Sequence, residues 1–141
     1  MESAIRTVKP FVGENTLFLS VLNGISSEGM IEEAYGAPYS LIQKEGEART
    51  MMIEAMREVL RVADTQDIDL TEADIDYWLE LLATLNPEGH TSMCQDVLAG
   101  RPTEVELFAG TMLKIAKEEG FSLPVNTFLY EKLKELEGAV E

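Results

Sequence analysis

The strongest hydrophobic periodicity in the chain lies between Glu45 and Ala63. Apolar residues recur there at intervals of three and four over four turns, at Ala48, Met51, Met52, Ala55, Met56, Val59, Leu60 and Ala63. Charged residues, Glu58 among them, occupy other positions around the same wheel. This pattern predicts an amphipathic α-helix with one buried face and one solvated face.

Start and stop signals predict two more helices between residues 71 and 100. Thr71, followed three residues later by Asp74, is a capping-box pattern, and the helix that it begins ends at the Asn-Pro-Glu-Gly run 86–89. A short helix then begins at Thr91 or Ser92 and stops at Gly100. The predicted buried stripe of the first of these helices contains Ile75, Trp78, Leu79, Leu82 and Leu85.

Two final helices are predicted from Thr103 and from Pro124. Thr103 with Glu106 forms a second capping-box pattern, and the helix that follows ends at Gly120. Its predicted buried residues are Leu107, Phe108, Thr111, Met112 and Ile115. Pro124 suits the first position of the last helix, whose buried face contains Val125, either Phe128 or Leu129, Leu133 and Leu136. Residues 37–141 are therefore predicted to form an all-α helical bundle.

The first 36 residues have a different pattern. Residues 2–12 favour a short helix, Thr16–Leu22 have the composition of a β-strand, and a second helix is indicated from Ser26 or Ser27 to Glu33. A single strand leaves both edges unpaired, so this segment is predicted to be a short α/β remnant of a larger domain. Residues 16–22 either stay a strand or convert to helix, and the helical alternative is slightly favoured. We place the boundary between the two parts at residues 36 and 37.

Composition limits the classes of partner. The chain has 26 acidic and 11 basic residues and a formal net charge of −15, spread along its length. Such a surface repels nucleic acids and anionic membranes, and neither is an expected partner. The beginning of the sequence does not have the pattern of a signal peptide.

The single cysteine and single histidine offer little chemistry. Cys94 has no second cysteine to pair with, which fits a reducing cytoplasm, and it is expected to be a buried, inert thiol without a basic partner. His90 is expected to be exposed in a polar loop. One histidine and one cysteine are too few for a metal site, so none is predicted.

Four short motifs resemble the C-terminal helical domain of the ketopantoate reductase (2-dehydropantoate 2-reductase) family. They are Gly-Ala-Pro-Tyr at 36–39, Thr-Ser-Met-Cys-Gln-Asp at 91–96, Gly-Arg-Pro-Thr-Glu-Val-Glu at 100–106 and Pro-Val-Asn-Thr at 124–127. Their order and helical setting match the family over residues 36–137. Residues 8–35 also resemble the end of the family's nucleotide-binding domain, where a strand ends in Asn-Gly, as at Asn23 and Gly24.

The resemblance implies three site residues. Glu104 matches a family glutamate that takes part in substrate binding and catalysis, and Ser92 matches a serine that hydrogen-bonds the substrate. Asn23 matches an asparagine near the nicotinamide and the substrate. Each also has a purely structural alternative: a first-turn acid for Glu104, a helix cap for Ser92 and a turn residue for Asn23.

The family reduces 2-dehydropantoate with NADPH in pantothenate biosynthesis, but two of the required parts have no counterpart here. No Gly-x-Gly occurs in the sequence, and the helix that carries the family's general-acid lysine is missing. We therefore expect no cofactor on this chain alone and no activity without a complementing partner, although a small 2-oxo acid remains a possible ligand. The alternative is a non-catalytic helical module that forms homodimers, because the deletion is expected to uncover the apolar faces of helices 45–63 and 103–119.

Overall fold

The computed structural model describes residues 38–138, and these are helical with no β-strand among them. Six α-helices follow one another: α1 (Ser40–Gln43), α2 (Glu47–Thr65), α3 (Glu72–Ala83), α4 (Ser92–Leu98), α5 (Thr111–Glu118) and α6 (Pro124–Gly138). A π-helical turn, Glu106–Gly110, runs directly into α5. The predicted all-α fold is thus confirmed for this part of the chain. The predicted α/β remnant and Asn23 lie outside the described residues.

Helix α2 is the centre of the bundle and packs against α1, α3, α5 and α6. Its buried residues contribute to two apolar clusters. The larger cluster joins α2 to α3, the π-helical turn and α6, and its members that are not exposed to solvent at all are Ile42, Met52, Ala55, Met56, Leu82, Val105, Ala109, Leu129 and Leu133. The smaller cluster lies between α2 and α5 and contains Val59, Val62, Met112, Ala116 and Leu123.

The expectation that helix 45–63 has an uncovered apolar face is therefore wrong. Met52, Met56, Val59 and Val62 are all buried within the chain. Burial of this face removes one of the two arguments for a homodimer.

In the described part of the chain, no helix is long and apolar enough to cross a membrane.

Several predicted boundaries are confirmed by the hydrogen bonds at the helix ends. The Thr71 backbone N–H donates to Asp74 Oδ2 at 2.8 Å, and Thr71 and Asp74 together form the predicted capping box. Gly100 and Gly120 follow α4 and α5 with φ of 65° and 81°, a left-handed conformation that glycine adopts without strain. Both glycines end their helices as the sequence predicts.

The first described residues are tied to the turn that follows α3. The backbone N–H groups of Tyr39 and Ser40 donate to the carbonyls of Gly89 and Pro87, at 3.0 and 2.9 Å. The Gln43 side chain donates to two carbonyls at the end of α3, those of Leu82 and Leu85, both at 2.9 Å. The Leu82 carbonyl also accepts from the Leu85 N–H at 3.1 Å, and the Gln43 side chain adds a cap at this end of α3.

Glu58 corrects the predicted polar face of α2. The residue is 6% exposed, and its carboxylate accepts hydrogen bonds from the backbone N–H groups of Val125 and Asn126, at 2.9 and 2.8 Å. The Asn126 side-chain nitrogen donates to Glu58 Oε2 at 2.7 Å and to the Ala55 carbonyl at 3.1 Å. Glu58 therefore caps the first turn of α6, where free N–H groups and the helix dipole favour a negative charge. The Pro-Val-Asn motif at 124–126 has this structural role.

The segment from Thr103 to Gly120 departs from its predicted burial. Met112 is buried as predicted, but Leu107 is 64% exposed, and Phe108, Thr111 and Ile115 are only partly buried. The other buried residues of the segment are Val105, Ala109 and Ala116. The prediction chose the large apolar residues, but the π-helical turn packs against α6, and small residues at the contact allow the backbones to approach closely. The buried face of this helix is thus covered, and Leu107 is its exposed apolar residue.

Candidate functional site

The loop from Gly100 to Val105 carries one of the predicted site residues and is held at Thr103. The Thr103 backbone N–H and hydroxyl both donate to Glu137 Oε1 of α6, at 2.9 and 2.7 Å. The Thr103 hydroxyl oxygen also accepts from the Val105 N–H at 3.3 Å. The predicted capping box with Glu106 is therefore wrong, because Glu137, a residue distant in sequence, occupies the place expected for Glu106.

Glu106 instead bonds to side chains of α6. Its Oε1 accepts a hydrogen bond from the Tyr130 hydroxyl at 2.6 Å and lies 3.4 Å from the Lys134 ammonium nitrogen. Lys134 also donates to Glu137 Oε2 at 2.9 Å. A connected polar network thus joins the start of the π-helical turn to the last turns of α6.

The pKa values in this network follow its geometry. Partial burial acts to raise the pKa of Glu137, but the hydrogen bonds from Thr103 and the contact with Lys134 outweigh it, so the pKa lies below its ordinary value. The hydrogen bond to Glu137 contributes most to raising the pKa of Lys134. The hydrogen bond to Glu106 is the main cause of a raised pKa at Tyr130. At neutral pH the Glu137 carboxylate is therefore ionised and Lys134 is protonated.

Glu104 lies between two fixed neighbours but has a free side chain. Thr103 is held by Glu137, and Val105 is fully buried in the larger apolar cluster. The Glu104 side chain is exposed, and within residues 38–138 it takes part in no hydrogen bond or ion pair. Its carboxylate is free to accept hydrogen bonds from a ligand.

Ser92 is likewise available, because its neighbour is the cap of α4. The Thr91 hydroxyl oxygen accepts from the Cys94 N–H at 3.2 Å, which places Thr91 at the N-cap and Ser92 at the first helical position. The sequence left open which of the two begins the helix. The Ser92 side chain is exposed and has no hydrogen-bond partner in the described part of the chain. No hydrogen bond joins Ser92 to Glu104.

His90 and Cys94 differ from expectation. Cys94 is buried as predicted, but its sulfur lies 3.4 Å from His90 Nδ1, so a basic partner is present and His90 is only partly exposed. His90 also accepts, through its backbone carbonyl, a hydrogen bond from the Gln95 side chain at 3.2 Å. Among residues 38–138, no group of three or more histidine, cysteine or acidic residues is arranged to hold a metal ion.

A surface cleft of about 430 Å³ lies beside the Thr103 anchor. Apolar and charged side chains line it together: Val97, Gly100, Arg101, Pro102, Lys134, Leu136, Glu137 and Gly138. The two cationic side chains that line the cleft are already paired with carboxylates. Arg101 pairs with Asp96 at 2.6 Å, and Lys134 pairs with Glu137. Neither Ser92 nor Glu104 lines the cleft. The cleft is therefore separate from the two predicted site residues.

The described residues do not by themselves fit a dinucleotide. Binding of the pyrophosphate requires a glycine-rich turn between a strand and a helix, and this helical region contains neither a strand nor such a turn. Of the predicted site residues, Ser92 and Glu104 lie in this region, and each has a side chain without a partner among the described residues.

Comparison with known proteins identifies the family of the chain. The family model of the ketopantoate reductase PanE/ApbA C-terminal domain matches residues 26–137, so the chain belongs to this family. The 2-dehydropantoate 2-reductase of Salmonella typhimurium is 33% identical over 84 residues, which are 60% of this chain and 28% of the relative. The chain thus matches less than a third of the length of that relative.

Two solved structures share the fold at low sequence identity. One is a dimeric ketopantoate reductase from Staphylococcus aureus, with a TM-score of 0.74, 20% identity, and coverage of 83% of this chain and 41% of that one. The other is a D-mandelate dehydrogenase in a ternary structure with NADH and anilino(oxo)acetate, with a TM-score of 0.76, 20% identity, and coverage of 84% and 40%. Both likenesses concern the helical fold.

Proposed function

We propose that this chain supplies the substrate-binding helical part of an NADPH-dependent reductase of 2-dehydropantoate, and that it does not turn over substrate on its own. One observation carries the proposal. Ser92 and Glu104, which the resemblance matches to substrate-binding residues of the family, are both exposed, and both side chains lack a partner within the described residues. A polar side chain that is held by a fixed backbone and is free at its tip is suited to bind a ligand.

The proposed roles follow from the chemistry of the two groups. The Ser92 hydroxyl can donate a hydrogen bond to a carboxylate or carbonyl oxygen, and the Glu104 carboxylate can accept one from a substrate hydroxyl. Reduction of a carbonyl further requires a bound nicotinamide to transfer hydride and an acid to protonate the oxygen that receives the negative charge. Neither requirement is met by a motif in this sequence, so the proposed role of the chain is to bind and orient the 2-oxo acid. Asn23 as a third substrate contact stays a prediction.

Titration of the chain with 2-dehydropantoate, followed by amide NMR, tests this role. We expect saturable shifts of the amides of residues 91–94 and 103–105. Ser92→Ala and Glu104→Ala should each weaken binding about 5- to 10-fold, the effect of losing one hydrogen bond of roughly 1 to 1.5 kcal/mol.

Glu119→Ala is the matched control, because Glu119 is another exposed glutamate without an ion pair among the described residues. It should leave the affinity unchanged. Equal weakening by all three variants, or shifts confined to other parts of the chain, would contradict the proposed role.

A homodimer also stays a prediction. The related Staphylococcus aureus reductase is described as dimeric. On this chain the exposed apolar side chains of Leu98 and Leu107, at 65% and 64%, are compatible with a partner surface.

A further inference from the structure

Glu137 and Glu104 lie on different elements and are linked through a single residue. Glu137 is in the last turn of α6, and its Oε1 accepts both hydrogen bonds that Thr103 can donate, from the backbone and from the hydroxyl. Thr103 immediately precedes Glu104. The main-chain position of Glu104 therefore depends on a carboxylate 33 residues further along the chain.

The remaining contacts of Glu137 keep it in place. Its second carboxylate oxygen accepts from Lys134 at 2.9 Å, one helical turn earlier, and its side chain is only 18% exposed. Lys134 also faces Glu106, which accepts from Tyr130. A carboxylate held on both oxygens has little freedom to rotate, so it is a firm attachment point for the loop.

The loop has few other attachments near Glu104. On the C-terminal side Val105 is fully buried, and its N–H donates to the Thr103 hydroxyl oxygen at 3.3 Å. On the N-terminal side, residues 99–103 form no regular secondary structure, and Arg101 is tied to α4 by its N–H and its guanidinium, which bond to the Asp96 carbonyl and carboxylate, both at 2.8 Å. The Thr103–Glu137 contact is thus the polar anchor between Arg101 and Glu104.

We propose that Glu137 is a positioning residue of the substrate site, which acts through Thr103 to present the Glu104 carboxylate. The proposal rests on the proposed function, since it assigns Glu137 a part in the ligand contact of Glu104. Glu137 does not touch the ligand. It reduces the number of conformations of the loop that must be lost when the ligand binds.

Amide hydrogen exchange and the titration with 2-dehydropantoate together test the proposal. Glu137→Ala should raise the exchange rate of the Thr103 amide about 10-fold or more, because a hydrogen bond to a charged group contributes roughly 1.5 kcal/mol or more. It should also weaken binding of 2-dehydropantoate several-fold. Glu137→Gln keeps a side-chain oxygen that accepts from Thr103, so it should restore most of the lost affinity.

Glu135→Ala is the matched control, since Glu135 is on the same helix and faces Lys132, at 3.5 Å, with the same three-residue spacing as Glu137 and Lys134. It should change neither readout. Unchanged exchange at Thr103 in Glu137→Ala, or weakened binding that Glu137→Gln does not rescue, would overturn the positioning role. If the wild type binds no 2-dehydropantoate, the proposed function fails, while increased exchange at Thr103 still supports the anchoring of the loop by Glu137.

Discussion

Replacing Glu58 with alanine should lower the free energy of unfolding by about 3 kcal/mol, a large share of the stability of a domain of this size. The substitution removes a buried carboxylate that accepts hydrogen bonds from Val125 N–H, Asn126 N–H and the Asn126 side chain. These three donors would then be left without that acceptor at the start of α6. An unpaired buried donor costs about 1 to 3 kcal/mol, and the loss of a helix cap typically costs about 1 kcal/mol.

Guanidinium unfolding followed by circular dichroism measures this effect. Glu54→Ala is the control, because Glu54 lies one turn earlier on α2 and its contact with Arg57 is exposed. Exposed ion pairs contribute about 0 to 1 kcal/mol, so Glu54→Ala should change stability little. Glu58→Gln, which keeps one acceptor oxygen, should fall between the two. A loss no larger for Glu58→Ala than for Glu54→Ala would show that the buried carboxylate does not stabilise the contact between α2 and α6.

Leu129→Ala should destabilise the protein by about 3 kcal/mol, and Phe128→Ala by less than about 1 kcal/mol. Leu129 is fully buried in the larger apolar cluster, so its truncation leaves a cavity between α6 and its neighbours. Phe128, the next residue along the helix, is 50% exposed. The two free energies of unfolding, measured under the same conditions, give the comparison. If the exposed phenylalanine costs as much as the buried leucine, the assigned buried face of α6 is wrong.

The choice between these two residues shows what the sequence could and could not predict for α6. Hydrophobicity allowed Phe128 or Leu129 to face the core, because both are large and apolar. In the structure Leu129 faces the core, and the reason is the position of Asn126. Asn126 is fully buried and bonded to Glu58 and to the Ala55 carbonyl. Asn126, Leu129 and Leu133 share one face at spacings of three and four, so the polar contact at Asn126 fixes the rotation of the helix.

Glu58 itself could not be identified as buried from the pattern of α2. A glutamate among other charged residues on a helix is almost always exposed to solvent. Glu58 is buried because the N-terminus of α6, which comes much later in the sequence, packs against it and supplies its hydrogen-bond donors. The same limit applies at Thr103. The local capping-box pattern predicted Glu106 as its partner, but Glu137 bonds to Thr103 instead, and a contact across 34 residues leaves no local signature.

Features set by local chemistry were predicted well. The Thr71 and Asp74 capping box, the stops at Gly100 and Gly120 and the start of α6 at Pro124 all depend on residues within one turn, and each is confirmed. In the candidate site, the short motifs around Ser92 and Glu104 identified the family. The anchoring of Thr103, next to Glu104, by Glu137 needed the packed structure, because it depends on how the end of α6 meets the loop after α4.

Titration of the purified chain into NADPH, with and without 2-dehydropantoate, tests the central claim most directly. Nicotinamide fluorescence reports cofactor binding, and absorbance of the reduced nicotinamide reports turnover. We expect no saturable change in fluorescence and no oxidation of NADPH, because the role proposed for this chain is to bind the substrate, and its sequence contains neither the glycine-rich turn nor the helix that carries the general-acid lysine of the family. Saturable micromolar binding of NADPH, or its oxidation when 2-dehydropantoate is added, would contradict the account and mean that a nucleotide site forms from this chain by another route.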